Sequence, residues 1–215
     1  MKTLIRVALS SAAALAFAGA AFADARTESF VQDNGGQALE TLNDPTLDAA
    51  ARTEKFKQYM DEFADFDSIA RFVIGKYARR FSEEELAAYT AAFRQYALTN
   101  YEVQFDQYRG EGITVVGSTD RERTSGRTSL DSIVNSTIAQ EDGDVLEVKW
   151  RVLERDGELQ IFDVGLNLDG NLLWLAIEQR AQFLALLDRS NGSAEALIAK
   201  LNELTAELEA ERAAS

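Results

Sequence analysis

The apolar residues of this sequence change period near residue 110, from the 3.6 of a helix to the 2 of a strand. That switch restricts the fold more than any other feature. Upstream of it, Asp44-Pro45 has the form of a helix start, with Asp as N-cap and Pro at the first helical position. The segment beyond places Phe56, Tyr59, Met60 and Phe63 on one face. Phe66-Asp67-Ser68 opens a short helix carrying Ile69, Phe72, Val73 and Tyr77. Ser82-Glu83-Glu84-Glu85 is a capping box, Ser at N-cap and Glu at N3. It precedes a long amphipathic helix with Leu86, Tyr89, Phe93, Tyr96, Tyr101 and Phe105, ending near Gly110.

Downstream, residues 112–117, 127–140, 145–154 and 159–168 read as strands. In the third, Leu146, Val148, Trp150 and Val152 alternate with charged residues, the pattern of a half-buried strand. Asp142-Gly143 and Asp156-Gly157 are hairpin signals. Residues 172–187 and 194–210 return to a helical pattern, separated by Asn191-Gly192-Ser193, which also supplies a cap for the second. The expected fold class is α+β: a four-stranded curved antiparallel sheet with a set of helices against a single face. Pro occurs once and Gly is sparse, so no flexible linker divides the chain, and residues 24–215 are expected to form one domain.

Residues 1–23 have the form of a signal peptide. Lys2 and Arg6 supply a positive start, Val7 to Gly19 an Ala/Leu-rich apolar run, and Ala21-Phe22-Ala23 a cleavage site that leaves Asp24 first. The apolar run is shorter than the roughly 20 residues a membrane span needs. The formal net charge is −14; removing the signal peptide takes away two positive charges and no negative ones, leaving −16. Such a balance argues against nucleic acid, whose phosphates attract the opposite sign. His and Cys are both absent. A Ser-His-Asp triad, a cysteine nucleophile, a His/Cys zinc site and a disulfide are therefore excluded. The hydrophobic core must stabilise the fold alone, and 46% hydrophobic residues suffice for it.

The remaining motifs do not assemble an enzyme site. Glu83-Glu84-Glu85 is explained by favourable charge at a helix N-terminus. Asp142-Gly143-Asp144 lacks the other ligands of a calcium loop. Asp163 lies on an expected strand without an obvious partner base, and the sequon Asn135-Ser136-Thr137 also falls within a strand. An apolar sheet face covered by aromatic-rich helices is either filled by its own side chains or encloses a ligand, and the pattern alone leaves both open.

Three blocks carry a family resemblance. The first is Phe66-Asp67-Ser68-Ile69-Ala70-Arg71-Phe72-Val73-Ile74-Gly75-Lys76-Tyr77. The second runs from Ser82 to Tyr108, with Phe93, Tyr101 and Tyr108 at aromatic positions. The third combines Phe162-Asp163-Val164, Leu168 to Leu173, and Arg180-Ala181-Gln182-Phe183. Leu197-Ile198-Ala199-Lys200-Leu201 is similar to the terminal helix of the same family. In this order, after a signal peptide, the set resembles MlaC, the periplasmic phospholipid-binding component of the Mla (toluene-tolerance) ABC transport system. The chain departs from the family pattern at Ala78, at Asn167-Leu168-Asp169-Gly170-Asn171 and at Ile177-Glu178-Gln179.

The resemblance implies an apolar cleft between sheet and helices that takes phospholipid tails and leaves the headgroup at its mouth. It implies a periplasmic carrier, not an enzyme, without metal or cofactor. Such a carrier shuttles lipid between an inner-membrane Mla ABC transporter complex and an outer-membrane lipoprotein complex, so maintaining outer-membrane lipid asymmetry, and is expected as a monomer. A related carrier for another lipid such as a hopanoid, or a ligand-free envelope adaptor, is the alternative. Expected tail contacts are Val148, Trp150, Val152, Phe162 and Val164 on the strands. From the helices they are Ile69, Phe72, Val73, Tyr77, Phe93, Tyr96, Tyr101, Leu173 and Phe183. Ordinary core packing is the competing role for each. Arg180 is expected to be structural, with Asp163 as a partner. Arg71, Lys76, Arg79 and Arg80 gather at the end of a short helix. They either complement the helix C-terminus or receive a phosphate headgroup or an acidic partner surface.

Overall fold

The computed structural model describes residues 18–107, 110–121, 128–140 and 143–214. The helices are α1 (Ala18–Asn43), α2 (Ala49–Phe63), α3 (Phe66–Ile74), α4 (Glu83–Gln107), α5 (Leu175–Arg189) and α6 (Ala194–Ala214). The strands are β1 (Gly110–Asp120), β2 (Thr128–Gln140), β3 (Val145–Arg155), β4 (Glu158–Leu168) and β5 (Asn171–Trp174). A 3-10 turn, Gly75–Arg79, follows α3. Residues 1–17 of the expected signal peptide, Tyr108, Asp142 and the side chain of Phe105 lie outside the described residues.

The strands form one antiparallel meander in the order β1-β2-β3-β4-β5, five strands and not the expected four. The fifth follows another Asp-Gly turn. Asp169 and Gly170 have φ of 51° and 83°, close to the 52° and 89° of Asp156 and Gly157, values that suit a tight hairpin. Leu168 pairs with Asn171 across it. Leu172 sits four residues before Ala176 and so fits the apolar stripe of α5 by spacing, which hides the strand in the sequence. The helix begins only at Leu175.

The reading of Asp44-Pro45 is also corrected. The Asp44 carboxylate accepts the Thr46 amide at 2.9 Å and the Thr46 hydroxyl at 2.6 Å. These bonds close a turn behind α1, where Pro45 blocks further helix. The N-cap of α2 is instead Asp48, whose Oδ1 accepts the Ala51 amide at 2.8 Å. Elsewhere the capping signals act as expected. Ser82 and Glu85 bond reciprocally, at 3.1 Å and 2.8 Å, to open α4. The Ser193 hydroxyl accepts the Ala196 amide at 3.1 Å to open α6.

Register places the apolar side chains in rows across the sheet. Val115, Ser136, Val148, Leu166 and Leu173 form one row through all five strands, and Ser118, Val134, Trp150 and Val164 form the next. Irregularities at Val115/Gly117 and at Arg151/Val152 bend the ladder locally. The exposed edge of β1 is blocked by α1. Gln32 donates to the Ile113 carbonyl at 2.8 Å and accepts the Val115 amide at 3.1 Å. One side chain thereby satisfies two backbone groups that would otherwise invite another strand. Among the helices, α4 packs along α6 and α3 along α5. Buried Glu102 fastens the far end, bonding to Thr53 of α2 and to Arg212 of α6.

Candidate functional site

The apolar face of the sheet gathers most of the expected strand contacts. Val148, Trp150, Val152 and Val164 are buried on it, and Leu173, expected on a helix, lies instead on β5 and packs against the same cluster. The Trp150 indole donates to the Ser136 hydroxyl at 2.7 Å, and that hydroxyl donates to the Val148 carbonyl at 3.2 Å. The only polar atom of the ring is thus satisfied without water, and its apolar body is left to the interior. Gly35 of α1 lies over the same spot; a Cβ there would sit 3.0 Å from Ile113 and 3.7 Å from Trp150.

The helices supply an aromatic wall. On α4 the rings of Tyr89 and Phe93 lie 6.0 Å apart. Phe183 of α5 meets Phe93 edge-on at 6.5 Å and Tyr96 at 5.9 Å. Tyr101 stacks on Phe66 at 6.5 Å. Ile69 and Val73 are buried on α3 beside this wall, and the Tyr89 hydroxyl donates to the Ala70 carbonyl at 3.0 Å. Burial raises the hydroxyl pKa of Tyr89, Tyr96 and Tyr101 above its ordinary value. All three stay neutral phenols at any physiological pH.

Phe162, Phe72 and Tyr77 occupy different surroundings. Phe162 is the extra residue where β4 slips against β3, so it turns away from Trp150. Its ring lies under the guanidiniums of Arg151 and Arg155, at 4.9 Å and 5.8 Å, and meets Phe72 edge-on at 5.3 Å. Arg180 completes this corner. It stacks over Phe72 at 4.8 Å and donates to the Phe72 carbonyl. Gly75 makes room for it: with φ of 51°, a Cβ there would lie 2.7 Å from the guanidinium. Arg180 is therefore placed between α3 and α5, and no bond joins it to Asp163 among the described residues.

Tyr77 is buried against the turn between α5 and α6. Its hydroxyl donates to Asp188 at 2.6 Å, and Lys76 pairs with the same carboxylate at 2.9 Å. Both hydrogen bonds hold the Asp188 carboxyl below the usual carboxylate range. Arg80 stacks over the Tyr77 ring at 4.9 Å. Two of the four grouped cations therefore have intramolecular work, while Arg71 and Arg79 are exposed.

Besides Ser136, the buried polar residues Asp163 and Gln179 lie among the helices and strands of this site. Asp163, 3% exposed, accepts the amides of Val164 and Ala176, both at 2.9 Å. Burial pushes its carboxyl up to about 6, against the pull of those two bonds and of Arg151. Gln179 is 4% exposed, and among the described residues neither its amide nitrogen nor its amide oxygen has a partner. Its position is legible in retrospect, since it falls three residues after Ala176 and four before Phe183, the spacing of one helix face. Asn135 of the sequon lies in β2 and donates to the Gly117 carbonyl at 3.4 Å.

Fold and interior together define an α+β class in which an antiparallel meander is packed against helices around an apolar, aromatic-lined core. A solved structure shares it: a phospholipid-binding protein from Ralstonia solanacearum, in complex with a phospholipid. The two superpose with a TM-score of 0.65 at 20% identity, over 85% of this chain and 98% of that one. The sequence model of the MlaC protein family matches residues 32–203. The chain belongs to the MlaC family. No curated protein matches it at a significant level.

Proposed function

We propose that this protein is a periplasmic carrier of phospholipid, exported by a signal peptide cleaved after Ala23 and folded as one domain over residues 24–215. The observation that carries the reading is a continuous apolar cluster from the sheet face through the aromatic helix wall, in a chain of the MlaC family. The phospholipid held by the Ralstonia protein of the same fold adds the ligand class. Tails enter between the sheet and the helices, against Val148, Trp150, Val152, Val164 and Leu173 on one side. Ile69, Val73, Phe93, Tyr96, Tyr101 and Phe183 face them from the other, with Phe72, Phe162 and Tyr77 at the margins.

Burial of a methylene contributes ~0.8 kcal/mol, so two acyl chains of roughly 30 methylenes approach ~24 kcal/mol gross. Net affinity is far smaller once ordering costs are included. Lipid held this way leaves slowly into water, so release takes a docking partner that offers an equally apolar path. The partners proposed are an inner-membrane transporter complex and an outer-membrane lipoprotein complex. The role is binding and transfer, with no bond chemistry. A net charge of −16 keeps such a protein from clinging to anionic bilayers, which suits a carrier that leaves each membrane.

Transfer tests the shuttle directly. Labelled phospholipid in donor vesicles should appear in acceptor vesicles faster when the protein is added, with a rate proportional to its concentration. A rate equal to that without protein contradicts the shuttle.

A further inference from the structure

Gln179 is an amide buried in a largely apolar interior, and among the described residues both of its hydrogen-bonding ends are unmet. Such a group costs free energy in every fold that keeps it, because its bonds to water are lost and nothing replaces them. Its neighbours on α5 locate it. Ala176, one turn before, bonds to Asp163 of β4; Phe183, one turn after, meets Tyr96 of α4 at 5.9 Å. Gln179 therefore lies between the β4 end and the Tyr96 end of the aromatic wall, on the helix face turned inward. Tyr96 and Tyr101 are buried in the same interior.

We propose that Gln179 is a polar anchor within the lipid site, taking a hydroxyl group carried on the hydrophobic part of the ligand. This deepens the carrier reading and rests on it. A hydroxyl both donates and accepts, so it satisfies the amide oxygen and nitrogen together. An ester carbonyl only accepts, and a plain acyl chain offers nothing. The anchor thus selects for hydroxylated lipid over the same lipid without the hydroxyl. Water carries the same chemistry, and a binding comparison separates the two sources, because water would serve Gln179 equally with either lipid.

The test compares two phospholipids identical except for one hydroxyl on an acyl chain, each displacing a fluorescent lipid from the protein. The wild type should favour the hydroxylated lipid by about tenfold, the scale of one hydrogen bond to an otherwise unsatisfied buried group. In Gln179→Leu, and in Gln179→Met should the first fold poorly, the ratio should fall to about one. Equal binding of both lipids by the wild type, or a preference that survives in the variants, overturns the anchor and leaves the carrier reading standing. Binding of neither lipid by the wild type overturns the carrier reading and the anchor with it.

Discussion

Asp163 of β4 caps helix α5 from outside the helix: its Oδ1 accepts the Ala176 amide at 2.9 Å. The N-cap position itself is Trp174, which makes no side-chain cap. A strand residue thereby satisfies a helix-end donor and fixes where α5 leaves the sheet. The arrangement carries a cost at neutral pH, since the carboxyl is buried.

Burial raises the Asp163 carboxyl to about 6 from its ordinary 3.8. Between those values the folded protein binds more protons than the unfolded chain, so this residue's contribution falls as pH rises. Its stabilisation is complete below the unfolded value and lost as pH passes through about 6. The difference amounts to roughly 3 kcal/mol. Asp163→Asn keeps an acceptor for Ala176 without a charge. Its urea midpoint should exceed that of the wild type at pH 7.5, and the gap should narrow as pH falls and close below the unfolded value of 3.8. Parallel curves for the two proteins contradict the assignment.

Arg180 joins α3 to α5 through the Phe72 carbonyl and ring. Arg180→Ala removes a charge-assisted bond and a stacked cation, and should lower the unfolding free energy by about 2 kcal/mol. Lysine should fail to restore it, because a point charge cannot both stack on Phe72 and reach its carbonyl. Full stability of Arg180→Lys in urea denaturation would count against this role.

Glu102 is buried between Thr53 and Arg212, with an Arg212 nitrogen at 2.6 Å. Arg212→Ala strands that carboxylate, and should cost about 2 kcal/mol in chemical denaturation. Adding Glu102→Gln to the variant should recover part of the loss. No recovery would mean that the charge is not the source.

Arg71 and Arg79 are exposed, whereas Lys76 and Arg80 are engaged around Tyr77 and Asp188. The pair Arg71→Glu with Arg79→Glu is thus the cleaner probe of headgroup or partner docking. The double variant should keep its melting temperature within about 2 °C, as surface changes do, yet slow lipid transfer severalfold. Unaltered transfer kinetics would remove these residues from the docking surface.

Much of this fold could be read from spacing alone. The apolar period located β1 to β4, and the Ser82 and Ser193 caps marked the starts of α4 and α6. β5 is hidden in the sequence because Leu172 continues the stripe of α5, although Asp169-Gly170 carries the same turn signal as Asp156-Gly157. Asp44 and Asp48 each resemble an N-cap, and only the turn bonded to Thr46 separates them. At the site, alternation identified the shared face of Val148, Trp150, Val152 and Val164. Phe162 escaped it, because one slipped residue in β4 reverses the side its ring takes. The partners of Arg180 and Asp163 depend on how α3 and α5 meet, a long-range relation that no local pattern encodes.

The central claim is that the interior holds phospholipid, and the mass of the intact protein tests it most directly. Protein purified from a periplasmic extract and sprayed under native conditions should carry an added mass that solvent extraction identifies as phospholipid, at one or more molecules per chain. A mass equal to that of residues 24–215 alone, in protein that also takes up no phospholipid from vesicles, would contradict the account.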